Sequence, residues 1–456
     1  YVLVFAALLL TMGSIGDRIG RKRMLQFGLL IFGVCSMWAA LSISTSMLVI
    51  ARAFLGIGAA IIMPATLSLV TASFPDPKER AQAIAIWAGV FGFGLGLGPV
   101  IAGWLLEHYA WNSVFIVNIP IVGIGLVGSY FFIEESMDRN APRPDIPGVI
   151  LSTAGLFALV YGIIKAGDEN WTDATVFISL AIGAVLLLGF AYWEKHAATP
   201  MLPPAYFKNM SFTGANIALM LVTLSLFGSY FFMSQFFQSV QGYTPLETGL
   251  LIVPMAVVLM VFTVNSARVA RRIGNKLTVS LGILTAGCGL FYLALVPDVD
   301  SDYWVVLIGL CVLTAGMGTA TSPATNSIMG SVPVNRAGIA SAMNDISRQV
   351  GGALGIAVLG TIMNTTYLSK IDELSIQIAA LPQEAFEVIR GSVHGAHIVA
   401  DSISDQAIAK TIVDASNDAF VSGITDAFLV GGIIMVLTAI LTVIILPTQV
   451  MLPSEE

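Results

Sequence analysis

The chain has 456 residues, 21 of them Lys or Arg and 28 Asp or Glu; only 11% is charged, 56% is apolar and the mean hydropathy is +0.86. An ordinary soluble domain is roughly a quarter charged, and a single soluble core stops growing near about 250–300 residues, so a soluble globular protein is excluded. The net charge of −7 supplies no basic field for nucleic acid, and Cys35, Cys288 and Cys311 all sit in apolar stretches, which argues against a disulfide framework or a cysteine metal site.

At roughly 20 residues per crossing, the chain has room for about a dozen or more transmembrane helices. Apolar windows fall at about 1–15, 24–44, 47–70, 80–106, 113–133, 147–166, 174–193, 212–238, 246–266, 277–296, 303–327, 337–366 and 422–446. Continuous runs of this length exclude a β-barrel, whose strands are about 10 residues long and alternate. An all-α polytopic membrane protein with thirteen visible spans is therefore expected.

Sorting basic residues by alternate loops sets the orientation. Fifteen Lys and Arg, Arg139 and Arg143 among them, fall on one side against Lys165, Lys370, Arg390 and Lys410 on the other. The richer side is cytoplasmic, which places the protein in the cell membrane. The first visible span then runs from outside to inside, and the chain opens at Tyr1 within an apolar run, so one further helix upstream is expected and fourteen in the complete protein.

The segment Gly13-Ser-Ile-Gly-Asp17-Arg18-Ile-Gly20-Arg21-Lys22-Arg23 joins the first two spans in a very short cytoplasmic loop. Its basic residues fit a simple positive-inside anchor. That does not explain Asp17 or the glycines: a carboxylate among cations makes charge-assisted hydrogen bonds that break and re-form, and glycines let helices approach closely. A cytoplasmic latch between two conformations needs both. The pattern recurs as Arg271-Arg-Ile-Gly274-Asn-Lys276, offset by 254, and Arg80-Ala81 recurs as Arg336-Ala337, offset by 256. Each offset equals eight helices, so two six-helix halves separated by two inserted helices are expected, an arrangement common in secondary transporters.

Arg52 lies about five residues into the span 47–70, where it either snorkels to the outer interface or holds a carboxylate within the membrane. The run Gly94-Leu-Gly-Leu-Gly98-Pro99-Val-Ile-Ala-Gly103 fits a small-residue packing face, and Pro99 also removes a backbone hydrogen bond and permits bending. The span 212–238 carries Phe227, Tyr230, Phe231, Phe232, Phe236 and Phe237, as packing or as cation–π partners for an organic cation. Glu247 and Asp426 lie at outer ends of spans.

Asp345 and Arg348 lie roughly 12–17 Å into the span 337–366, near the midplane. At i, i+3 they share a face continued by Gly352 and Gly355, and they form either a structural ion pair or a protonatable, substrate-facing site. Residues 367–421 are too polar to span, with helical periodicity around Leu374–Ile378 and Ala407–Ile412, and are expected as an extracellular hairpin or flap. His108, His196, His394 and His397 lack ligand spacing, so no metal or cofactor is expected.

The loop at 13–23 resembles the signature loop of the major facilitator superfamily, G-x-x-x-D-R-x-G-R-[KR], with a worn copy at 267–276. The run 94–103 resembles that superfamily's antiporter motif G-x-x-x-G-P-x-x-G-G, with Ala102 in place of one glycine, and the stretch around Arg52, Gly56 and Gly58 resembles its R-x-x-x-G-x-G motif, whose arginine is associated with proton coupling. Trp111-x-x-x-Phe115-x-x-Asn118-x-Pro120, Gly242-Tyr-Thr-Pro-Leu246 and the long outer segment extend the resemblance to the fourteen-helix drug:proton antiporter branch. The branch's first helix, which bears an acidic residue implicated in coupling, is absent from this sequence.

The resemblance implies a helical half at 1–133, inserted helices and linkers at 134–211, and a second half at 212–447. It implies a monomeric exporter with no cofactor, moving hydrophobic or cationic drugs against inward protons, with Arg52, Asp345, Arg348 and Glu247 as coupling or substrate candidates. The alternative on the same fold is a proton-coupled or facilitative importer of a polar nutrient. ATP-driven pumping is disfavoured because the sequence lacks a G-x-x-x-x-G-K-[ST] loop, and an enzyme would need a cluster of His, Ser or carboxylates at one depth.

Overall fold

A computed structural model of the chain describes residues 1–138, 145–168, 171–374 and 382–447. Arg139 and Arg143, and most of the periodic stretch Leu374–Ile378, lie outside the described residues. The helices are α1 (Val2–Ile19), α2 (Arg21–Ala40), α3 (Thr45–Ser73), α4 (Pro77–His108), α5 (Ser113–Ile116), α6 (Asn118–Phe132), α7 (Ile146–Asp168), α8 (Ala174–His196), α9 (Ala205–Lys208), α10 (Met210–Gln235), α11 (Pro245–Ile273), α12 (Asn275–Leu295), α13 (Tyr303–Gly330), α14 (Ala337–Leu374), α15 (Gln383–Gly391), α16 (Val393–Ser402) and α17 (Gln406–Ile445). Among the described residues thirteen segments are long and apolar enough to cross a membrane, α5 and α6 together forming one of them.

Local chemistry sets the ends of these helices. Asp76 accepts the backbone N–H groups of Lys78 and Glu79 ahead of Pro77, and these bonds, Glu79's foremost, hold its carboxyl below the usual carboxylate range. Gly20 and Gly274, at φ of 121° and 84°, are the single residues between α1 and α2 and between α11 and α12. A side chain is strained at such angles, so the repeated sequence element carries a repeated backbone reversal.

The outer faces are apolar, as lipid requires: Phe132, Ile444 and Leu188 are 88%, 73% and 71% exposed. Inside, small residues bring helices together. Cβ atoms added at Gly89, Gly92, Gly96 and Gly103 of α4 would meet Val264, Leu259, Ala256 and Leu246 of α11, and at Gly351 and Gly355 of α14 they would land on carbonyls of Met220 and Leu224 in α10. The inserted pair α7–α8 packs through α7 on α1 and α14, where Thr11 and Thr153 hydroxyls lie 3.2 Å apart.

Two elements differ from the sequence expectation. The last helix is 40 residues long, about 60 Å, and begins 16 residues before the expected span, so 407–412 forms its first turns, continuous with that span. Asp405 caps it through the N–H groups of Ala407 and Ile408. Likewise α14 runs beyond 366, and α10 ends in a π-helical turn at Phe236–Val240.

Candidate functional site

The loop at 13–23 ties α1 and α2 to the start of α14. Asp17 is buried; its Oδ1 accepts from Arg21 Nε and Nη2 at 2.9 and 2.7 Å, and both its oxygens accept the backbone N–H of Gly338 at the start of α14. Arg21, 2% exposed, also donates to Ser136 Oγ and to the carbonyls of Val334 and Asn335. A carboxylate at a helix N-terminus gains from the unsatisfied N–H groups and the helix dipole. Gly13 and Gly338 make this approach possible, since a Cβ on either would strike the other's carbonyl. Lys22 donates to the Tyr130 carbonyl, Glu135 accepts from the N–H groups of Lys22 and Arg23, and Arg18 is exposed.

The glycine-rich run divides by face. Gly103 and Pro99 lie against α11, where a Cβ on Gly249 would meet the Pro99 carbonyl carbon, whereas Gly94 and Gly98 have nothing within 4 Å of an added Cβ. The close seam is built instead by Gly89, Gly92 and Gly96 together with Gly103. Gly94 and Gly98 continue the stripe of Trp87 and Phe91 at i, i+4, i+7 and i+11, one face of α4.

Deeper in α14, Asp345 and Arg348 are 1% and 6% exposed, yet they are not in ion-pair contact. Two neutral side chains join them. Arg348 Nη2 donates to Thr325 Oγ1 of α13 at 3.3 Å, Thr325 Oγ1 donates to Asn344 Oδ1 at 2.9 Å, and Asn344 Nδ2 donates to Asp345 Oδ1 at 3.1 Å. Asp345 Oδ2 and Arg348 Nε are buried without a hydrogen-bond partner. The guanidinium stacks over Phe91 and Trp87 of α4, 5.4 and 5.9 Å from the ring centroids, and Trp87 Nε1 donates to Thr66 of α3. The network thus reaches from α13 and α14 across to α3 and α4. Gly352 faces Phe227 of α10 and Gly355 the α10 backbone, so neither continues toward the rings.

The other candidates are not brought to this network. Glu247 is the third residue of a capping box: its Oε2 accepts the Thr244 N–H and its own N–H donates to Thr244 Oγ1. Arg52 is exposed on α3. Asp426, halfway along α17, accepts from Thr366. Of the α10 aromatics, Phe232, Phe236 and Phe237 are core packing, and the cations described over rings lie on Trp87, Phe91 and Tyr130. Thr325, Asn344, Trp87 and Phe91 were not singled out by the sequence; an arginine deep in a span demands such partners, but nothing in the spacing says which helix supplies them.

The family model described as Major Facilitator Superfamily matches residues 1–356. The chain is 35% identical over 439 residues to the multidrug efflux pump LfrA of Mycolicibacterium smegmatis, covering 96% of this chain and 86% of that protein. It is 31% identical to the methyl viologen resistance protein SmvA of Salmonella typhimurium, over 96% of this chain and 88% of the other, and 30% identical to the tetracenomycin C resistance and export protein of Streptomyces glaucescens, over 96% and 82%. Among solved structures it superimposes on the human organic anion transporter MFSD10 with a TM-score of 0.62 and on the proton:xylose symporter XylE with 0.59, covering 97% and 98% of this chain and 81% and 84% of theirs, each at 12% identity, a likeness of fold alone.

Proposed function

This chain belongs to the major facilitator superfamily, and we propose that it is a multi-pass plasma-membrane exporter of hydrophobic and cationic compounds, acting as a monomer and driven by inward proton flow. The observation that carries the reading is the buried network on α14. Ionisable side chains within a membrane are costly and mark ion or substrate pathways, and here a carboxylate with one unpartnered oxygen shares a hydrogen-bonded chain with a guanidinium stacked on rings of α4.

A proton on Asp345 cancels the charge that acts on Arg348 through Asn344 and Thr325. Arg348 then holds α4 and α13 differently in the two protonation states, the differential interaction that coupling requires. The rings that receive a guanidinium suit an organic cation equally well. Relatives named for multidrug efflux and for resistance to methyl viologen, an organic dication, support drugs as the cargo.

Full-length protein in proteoliposomes is expected to move ethidium against its gradient when a proton gradient is imposed, and to stop when a protonophore collapses it. Transport that persists without the gradient but requires ATP overturns the reading.

A further inference from the structure

Between the inserted helices and the α1/α14 seam lies a cavity of about 250 Å³. Leu10 of α1, Leu156 of α7, Leu187 and Phe190 of α8, and Met343 and Ile346 of α14 supply most of its wall. Glu194, near the cytoplasmic end of α8, is the one charged lining residue, and Ser152, the other polar one, turns its hydroxyl back to the Val149 carbonyl. Glu194 is 2% exposed. Its Oε2 accepts the Leu202 N–H at 3.0 Å; its Oε1 is buried with no hydrogen-bond partner, and among the described residues no cation is in ion-pair contact with it. Asp145 adds a second negative charge close by, its Oδ2 and Glu194 Oε1 both lying beside Gly148, and Arg336 acts as one positive charge beyond ion-pair contact.

We infer that this cavity is a lateral binding site for a lipophilic organic cation, with Glu194 as its counter-charge. An unpaired buried carboxylate costs several kcal/mol, and an apolar chamber with a single acidic group complements a ligand with an apolar body and a diffuse positive charge. The volume takes an aromatic ring with its ammonium group. Leu188 and Tyr192, exposed on the outer face of α8, put the chamber one helix away from the bilayer, where such compounds accumulate. It lies on the insert side of α14, and Met343 and Ile346 flank the Asn344–Asp345 pair, so α14 separates the chamber from the buried network. The site deepens the export reading, on which its cargo class rests.

The probe is benzyldodecyldimethylammonium carrying a diazirine on its ring, photolysed with full-length protein in nanodiscs, with the matching uncharged benzyl dodecyl ether as control. Labelling by the cation is expected on the peptide that contains Leu187 and Glu194, and to fall about tenfold in Glu194→Gln. That variant keeps an acceptor for the Leu202 N–H, so it removes charge while preserving the local fold. Leu187→Trp, which fills the chamber and leaves Glu194 intact, should also lose the label. In proteoliposomes, Glu194→Gln should raise the apparent KM for the cation about tenfold at an unchanged kcat. Equal labelling by cation and ether, or of wild type and Glu194→Gln, overturns the site and leaves a pocket for lipid tails. A fall in kcat at constant KM also overturns it. Labelling needs no proton gradient: a protein that labels but does not export fails the export reading alone, and an exporter never labelled on α8 fails only this one.

Discussion

Both carboxylate oxygens of Asp17 accept the backbone N–H of Gly338, at 2.9 and 3.0 Å, across 321 residues of sequence. One side chain from the first visible helix thereby caps the helix that bears Asp345 and Arg348. This cap and the buried network sit on the same helix, roughly 11 Å apart along its axis.

Asp17→Asn should lower transport turnover at least tenfold while leaving equilibrium ethidium binding within twofold. Hydrogen bonds to a charged group contribute about 1.5–3 kcal/mol, and their loss weakens the conformation in which the latch is closed. Binding and turnover measured on the same preparation decide the matter, since parallel losses would place Asp17 in the binding site instead of the gate.

The two sets of glycines on α4 should respond differently. A methyl at Gly96 collides with the Ala256 side chain, whereas at Gly98 it meets open space. Overpacking typically costs 1–3 kcal/mol, about, while replacing glycine by alanine in a helix gains up to roughly 1 kcal/mol. Gly96→Ala should therefore lower the melting temperature of the purified protein and Gly98→Ala should not. Equal shifts in a thermal unfolding series would contradict the seam.

Glu247→Gln should transport as the wild type does. The amide of glutamine still accepts the Thr244 N–H and completes the capping box, whereas Glu247→Ala should cost about 1 kcal/mol of helix stability. Loss of proton-driven export in Glu247→Gln with normal expression would return this residue to the coupling machinery.

The span map was legible because a lipid-facing helix must be apolar along its length. That Asp17 and its glycines make close contacts was legible because they make no sense as a mere anchor. Thr244-Pro-Leu-Glu247 spells a capping box in the sequence, and the structure forms it. Arg348 was placed beside Asp345 by helical spacing, but a long guanidinium chooses among partners on other helices, and sequence spacing carries no information about those. Glu194 carries no signal in the sequence, since it sits beside Lys195 and His196 at the end of a span; only the folded loop at 201–204 shows that it is enclosed.

Asp345→Asn fixes the uncharged form and should abolish proton-driven efflux while permitting insertion and folding, read as export against monodisperse yield. Thr325→Val keeps the volume but cuts the link from Arg348 to Asn344, so it should reduce coupling, measured as substrate moved per imposed proton gradient, with little change in substrate binding. A purely structural role makes a different forecast. Buried charges removed together and replaced by apolar groups are often tolerated where removal of one is not, so the Asp345→Leu/Arg348→Leu double variant would then export normally. Because the two groups are joined only through neutral side chains, the double variant also leaves Thr325 and Asn344 hydrogen-bonded to each other, and its fold should survive. A folded double variant that binds ethidium but moves none of it against a proton gradient places the coupling in this network; one that exports at the wild-type rate assigns these residues to scaffold.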